Sequence, residues 1–146
     1  MPIEINECDG GRGNIIESRG LVTDQELVDS FKRHLTQDRE KFKTCKYILV
    51  DHTALTKMDV TNETVELIAG LWADTSGANP DPVVAMVTYI AYSAGTDLLN
   101  RISRLHELFI YQSCWETMLF RTKAQAVRWI REKVRDKFGI EDLSFS

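Results

Sequence analysis

The sequence predicts an α/β domain in which a central mixed sheet of about five strands is flanked by four helices. Three observations carry that prediction. Tyr47–Val50 and Val83–Ile90 are apolar without alternation, the pattern of strands covered on both faces. Between and around them, apolar residues recur every three or four positions, as on the buried stripe of a helix. The resulting order, β-β-α-β-α-β-α-β-α, is the alternation that right-handed crossovers build into a layered sheet.

Each element has its own local reason. Residues 3–8 and 14–19 form short strands around Asp9-Gly10-Gly11-Arg12-Gly13, whose composition makes a turn and whose spacing is not that of a phosphate loop. An N-terminal hairpin over residues 3–19 follows. Thr23 or Asp24 caps a first helix bearing Leu27, Val28, Phe31 and Leu35, and the polar segment 36–44 returns the chain to the sheet. After Tyr47–Val50, residues 51–61 read as a loop. A second helix then presents Val65, Ile68, Leu71 and Trp72, and stops near Ser76-Gly77-Ala78-Asn79-Pro80. Ser93-Ala94-Gly95 turns the chain into a third helix with Leu98, Leu99, Ile102, Leu105 and Phe109. The segment 111–114 fits either the end of that helix or the approach to a strand. A last strand spans 116–121, and a fourth helix spans 123–137, with Val127, Ile130, Val134 and Phe138 inward and Trp129 at the edge of the stripe. Gly139 ends it, and residues 140–146 read as a loose tail.

Composition bounds the function. With 146 residues, the length prior gives a single domain over 1–146 with a core of its own. Eighteen basic against 22 acidic residues leave a net charge of −4, which argues against bulk nucleic-acid binding. The balance is uneven: residues 121–137 hold seven cations (Arg121, Lys123, Arg128, Arg131, Lys133, Arg135 and Lys137) against Glu132 and Asp136. Such a helix suits phosphates, an anionic membrane or an acidic partner, although a solvated face with cations near a helix C-terminus is the plainer account. Cys8, Cys45 and Cys114 are odd in number, form no C-x-x-C pair and follow no secretory signal, so reduced thiols in a cytoplasm are expected. The longest uncharged stretch, 82–96, is too short and too broken for a membrane span.

Candidate chemistry concentrates between Asp51 and Asn62. Two carboxylates, Asp51 and Asp59, and a hydroxyl, Thr61, stand between a strand and a helix start, a place where α/β proteins put binding sites. Thr61 at a helix N-terminus has the setting of a phosphoacceptor, with free backbone N–H groups to meet a phosphate, but either Thr61 or Asp59 would serve equally as a plain cap. Strand alternation sends Asp51 and His52 to opposite faces, so they are no acid–base pair. No nucleophile elbow or metal-ligand spacing is present; no catalytic residue, metal or cofactor is expected. Trp72, Tyr89 and Tyr92 are candidates to line an apolar pocket, though aromatic residues at such positions are more often core.

Asp51-His52-Thr53-Ala54-Leu55-Thr56-Lys57-Met58-Asp59-Val60-Thr61-Asn62 resembles the central signature of STAS domains, the SpoIIAA-like family of anti-sigma-factor antagonists. In that family Met-Asp-Ser-Ser-Gly opens the helix, and a partner kinase phosphorylates the second serine. Carried over without a gap, Thr61 falls on that serine, Val60 on the first serine and Asn62 on the glycine, so two signature positions differ. Met118-Leu119-Phe120-Arg121-Thr122, with Ala126, Trp129 and Ile130, is similar to the ending of small stand-alone bacterial STAS-like proteins. The resemblance covers roughly residues 14–134 and implies a SpoIIAA-like β-α superhelix. It further implies a non-enzymatic regulatory or binding module acting through a protein partner, with a serine/threonine kinase among the candidates. Asp51, Asp59, Thr61 and Asn62 are the expected contact or switch residues. The alternative is a carrier of a lipid-like apolar ligand held between the sheet and helices two and three, since lipid-binding CRAL-TRIO domains share a related superhelix. An enzyme using Asp51 or Asp59 as a base is a third class. Nucleic acid is not an expected partner, and the oligomeric state, a homodimer included, stays open.

Overall fold

A computed structural model describes residues 2–34, 39–88 and 96–146. The strands are β1 (Ile3–Cys8), β2 (Gly13–Thr23), β3 (Tyr47–Asp59), β4 (Val83–Val87) and β5 (Glu116–Phe120). The helices are α1 (Asp24–Lys32), α2 (Asn62–Ala78), α3 (Thr96–Gln112) and α4 (Lys123–Phe138). One sheet runs in the order β1-β2-β3-β4-β5; β1 is antiparallel to β2 and every other pair is parallel.

Side-chain alternation divides the core between the two faces of the sheet. Ile48 and Val50 of β3 and Val84 and Met86 of β4 pack under α1, α2 and α3, against Phe31, Ile68, Trp72 and Leu105. Tyr47 and Leu49, with Val83, Ala85 and Val87, face the other way and meet Ala126, Ile130 and Val134 of α4. Helix α4 therefore buries Ala126 where periodicity had placed Val127, which is only half-buried. Leu35, Ile90 and the Ser93-Ala94-Gly95 turn lie outside the described residues, as do the side chains of Leu98, Leu99, Ile102 and Phe109.

Helix ends follow their capping residues. Thr23, Thr61 and Thr122 each accept a bond from the backbone N–H three residues on, at α1, α2 and α4. Gly139 closes α4 in a left-handed conformation, its N–H donating 2.8 Å to the Arg135 carbonyl.

Two expectations are corrected. Residues 51–59 are strand, not loop: β2 and β3 stay paired from Gly13↔Tyr47 to Thr23↔Asp59. Two register shifts, after Glu17 and after Gly20, absorb the extra β3 residues. Because β4 ends opposite Asp51, the rest of β2 and β3 projects beyond it as a two-stranded ribbon.

The C-terminal segment is not loose. Asp9, at φ 52° in the hairpin turn, accepts bonds from the Tyr47 hydroxyl (2.6 Å), the Ser144 N–H (2.7 Å) and hydroxyl (2.8 Å), and the Phe145 N–H (3.1 Å). Partial burial raises the Asp9 pKa, but these donors outweigh it and hold the carboxyl below its usual range. Arg12 pairs with Asp142 at 2.8 Å, Leu143 is buried, and the Phe145 ring lies 4.8 Å from that of Tyr47. Periodicity misses this docking because its anchor is more than 130 residues away in the chain.

Candidate functional site

The ribbon delivers three of the four expected contact residues to one place. Asp59 ends β3, Thr61 caps α2 and Asn62 opens it, and all three side chains are exposed. The Thr61 hydroxyl accepts from the Thr64 N–H at 3.2 Å and lies 3.2 Å from the Thr64 hydroxyl. Its backbone N–H donates 2.9 Å to Asp24 Oδ1. Asp24 thus ties the start of α1 to the start of α2, a role with no local signal because the partners are 37 residues apart.

The fourth residue is elsewhere. Asp51 lies eight positions back along an extended strand, roughly 25 Å at about 3.3 Å per residue. Its carboxylate accepts from the Thr53 N–H (2.9 Å) and hydroxyl (2.6 Å), shaping the first register shift. Across the sheet it is opposite Glu17, which is itself opposite Glu4, and Arg19 bridges Glu17 at 2.9 Å and Glu4 at 4.0 Å. That arrangement relieves a row of like charges. Among the described residues, no group of His, Cys, Asp and Glu is placed to hold a metal ion.

Replacing Thr61 by alanine removes the cap acceptor of α2 and is expected to cost about 1 kcal/mol in urea unfolding. Aspartate at the same position keeps an acceptor and adds a charge, so Thr61→Asp should unfold close to wild type. A loss of stability in Thr61→Asp as large as in Thr61→Ala would show that capping is not what the hydroxyl provides.

Of the expected pocket residues, Tyr89 and Tyr92 lie outside the described residues. Trp72 is 1% exposed and belongs to the core, packed edge-on against Trp115 (5.0 Å between centroids) and tilted against Phe31 (5.6 Å). The space beside Phe31 and Trp72 is a cavity of about 10 Å³, room for one water and far below the roughly 300–1,000 Å³ of ligand pockets. Its wall includes His52, which alternation turns inward while Asp51 faces the opposite side. Both ring nitrogens of His52 are buried without a hydrogen-bond partner among the described residues. Burial lowers its pKa to about 4, against a smaller upward pull from Asp51.

All three cysteines are free. Cys45 is buried under a bond from Asn14 Nδ2 at 3.3 Å, and burial pushes its thiol up to about 12, the setting of an inert core residue. No helix among the described residues is long and apolar enough to cross a membrane.

No family model matches the sequence, and no curated protein matches it. Solved structures do. The unphosphorylated form of the anti-sigma factor antagonist SpoIIAA superposes with a TM-score of 0.55 at 9% identity, over 88% of this chain and 97% of its own. An uncharacterised protein of the DUF3478 family from Shewanella loihica PV-4, described as having a SpoIIAA-like fold, gives 0.51 at 16% identity, over 88% and 91%. At such identities the likeness is one of architecture, and it matches the five-stranded mixed sheet and four helices described above. The chain has the SpoIIAA-like, STAS-type α/β fold.

Proposed function

We propose that this protein is a non-enzymatic regulatory module that acts through a protein partner, and that the partner docks on the ribbon tip and the start of α2. One observation carries the reading. An exposed hydroxyl, Thr61, sits at the N-terminus of a 17-residue helix, at the end of a ribbon that reaches past its neighbouring strand. Asp59, Asn62 and the outer face of the ribbon surround it with exposed polar groups. The Asp51 carboxylate is engaged by the Thr53 N–H and hydroxyl rather than by a proton-transfer partner. The SpoIIAA structure supports the same reading, because that protein is an anti-sigma factor antagonist with an unphosphorylated form.

Phosphorylation of Thr61 is the switch this geometry would suit. A phosphate there would meet the free N–H groups and positive dipole end of α2, while Asp59 and Asp24 would repel it. The added charge would therefore change the tip without rebuilding the fold. A serine/threonine kinase is the corresponding partner class, and a cytoplasm, where free thiols persist, is the proposed setting. The carrier reading has less behind it among the described residues, where the space beside Trp72 is a cavity of about 10 Å³.

The test compares tagged wild type with Thr61→Asp in an extract of the source organism, with bound proteins quantified by mass spectrometry. A protein recovered by wild type should fall several-fold in the variant, while the melting temperatures agree. Equal recovery of every bound protein would end the switch reading.

A further inference from the structure

The opposite face of the sheet carries a second feature that the ribbon tip does not use. Docking of residues 140–143 beside α4 leaves a groove of about 200 Å³ lined by Arg131, Arg135, Ile140, Glu141 and Leu143. Arg128, Arg131 and Arg135 recur at i, i+3 and i+7, which puts the three exposed side chains on one stripe of α4; Arg131 and Arg135 line the groove and Arg128 extends the stripe one turn further. Their charge is largely unspent. Arg128 and Arg131 have no carboxylate partner among the described residues, and Arg135 has only its chain neighbour Asp136, at 3.4 Å. By contrast, Arg12, Arg19, Lys43, Lys46, Arg104 and Lys133 each pair with a carboxylate. The groove is also held in shape. Arg131 donates 2.6 Å to the Leu143 carbonyl and lies over the Phe145 ring at 5.0 Å, and Asp9 and Arg12 anchor the segment from its other side.

We infer that this groove docks an extended acidic segment of a protein partner, whose carboxylates meet Arg128, Arg131 and Arg135 and whose apolar side chain enters between Ile140 and Leu143. The volume takes one or two side chains, short of a whole small-molecule ligand at roughly 300–1,000 Å³. Charge selects the sign of the occupant, and the apolar residues select a peptide over a polyphosphate. A nucleic-acid backbone places a charge every few ångströms and would run against Glu132, Asp136 and Glu141, whereas a peptide can space its carboxylates past them and offer an apolar side chain to Ile140 and Leu143.

Fluorescence anisotropy with a labelled peptide alternating glutamate and leucine tests this directly, beside a glutamine–leucine peptide of equal length and a labelled single-stranded oligonucleotide. The acidic peptide should bind, and its affinity should fall with added salt. The double variant Arg128→Gln/Arg135→Gln should weaken it about tenfold at an unchanged melting temperature, since two partly exposed charge contacts are lost. Arg131 is left in place because it also holds the tail. Thr61→Asp should leave this binding unchanged, which separates the groove from the ribbon tip. Absence of acidic-peptide binding, equal binding by the glutamine peptide or by the double variant, or tighter binding of the oligonucleotide would each overturn the inference.

Discussion

Gly13→Ala should destabilise the protein by about 3 kcal/mol, from steric conflict and a lost charged hydrogen bond together, although it adds a single methyl group. Gly13 and Tyr47 are Cα partners across β2 and β3, and a Cβ built on Gly13 would fall inside the Tyr47 ring. The ring has nowhere to go. It is fully buried, it packs at 4.8 Å against Phe145, and its hydroxyl donates 2.6 Å to the Asp9 carboxylate. Relieving the clash means swinging the ring away from Asp9, which also loosens the turn that anchors the C-terminal segment. Urea unfolding should show the full loss, and the melting temperature should drop by about 10 °C for a chain of this size. In a Tyr47→Leu background, where the ring is gone, the same methyl should cost much less. An equal cost in both backgrounds would mean that the close approach is not the cause.

Acid should remove about 3 kcal/mol of stability between pH 6.5 and 4, an amount set by the His52 shift at about 1.4 kcal/mol per pKa unit. The folded-state pKa is depressed to about 4 from an ordinary 6.5 because burial denies the charged ring its hydration, and neither ring nitrogen has a hydrogen-bond partner among the described residues. In that window the unfolded chain takes up a proton that the folded chain refuses, so stability is fully present above pH 6.5 and is lost as the pH falls. Ser18 and Trp72 share the small cavity with His52, and among the described residues no carboxylate lines it, which leaves only the weaker pull of Asp51 to favour an imidazolium. His106, also lowered by burial, acts in the same direction. His52→Leu should therefore flatten most of the pH dependence, and should cost little at pH 7 because it deletes two unsatisfied buried groups. Chemical denaturation across the pH range gives the comparison, and an undiminished slope in His52→Leu would contradict the burial account.

Local rules made much of the fold legible. The apolar run at Tyr47–Val50 lies in a strand, as does Val83–Val87 of the run 83–90; Val65, Ile68 and Trp72 are buried on one helix face, and Ile130 and Val134 on another whose Val127 and Phe138 are half-buried. Thr61 and Gly139 act as caps where their residue types predict. What stayed hidden depends on distant partners. Asp51, His52, Thr53 and Lys57 look like loop residues, yet the backbone around them is strand because β2 lies alongside and two register shifts absorb the mismatch. Asp9 looks like a turn residue and is also the anchor of the C-terminal segment. At the candidate site the position of Thr61 was readable and the contact from Asp24 was not, since no periodicity links residues from two helices. Alternation put Asp51 and His52 on opposite faces, but that His52 is the buried one, without a partner among the described residues, follows from packing.

The central claim, that a protein partner docks on the ribbon tip, is most directly tested by site-specific photo-crosslinking in cells of the source organism. A benzophenone amino acid at exposed Lys57 or Glu63 reports on the tip, and one at exposed Ser103 of α3 reports on a surface away from it. The account predicts a discrete protein adduct from Lys57 and Glu63, absent from Ser103 and diminished when Thr61→Asp is added. Adducts from Ser103 alone, or none from either tip position in a well-expressed protein, would contradict it.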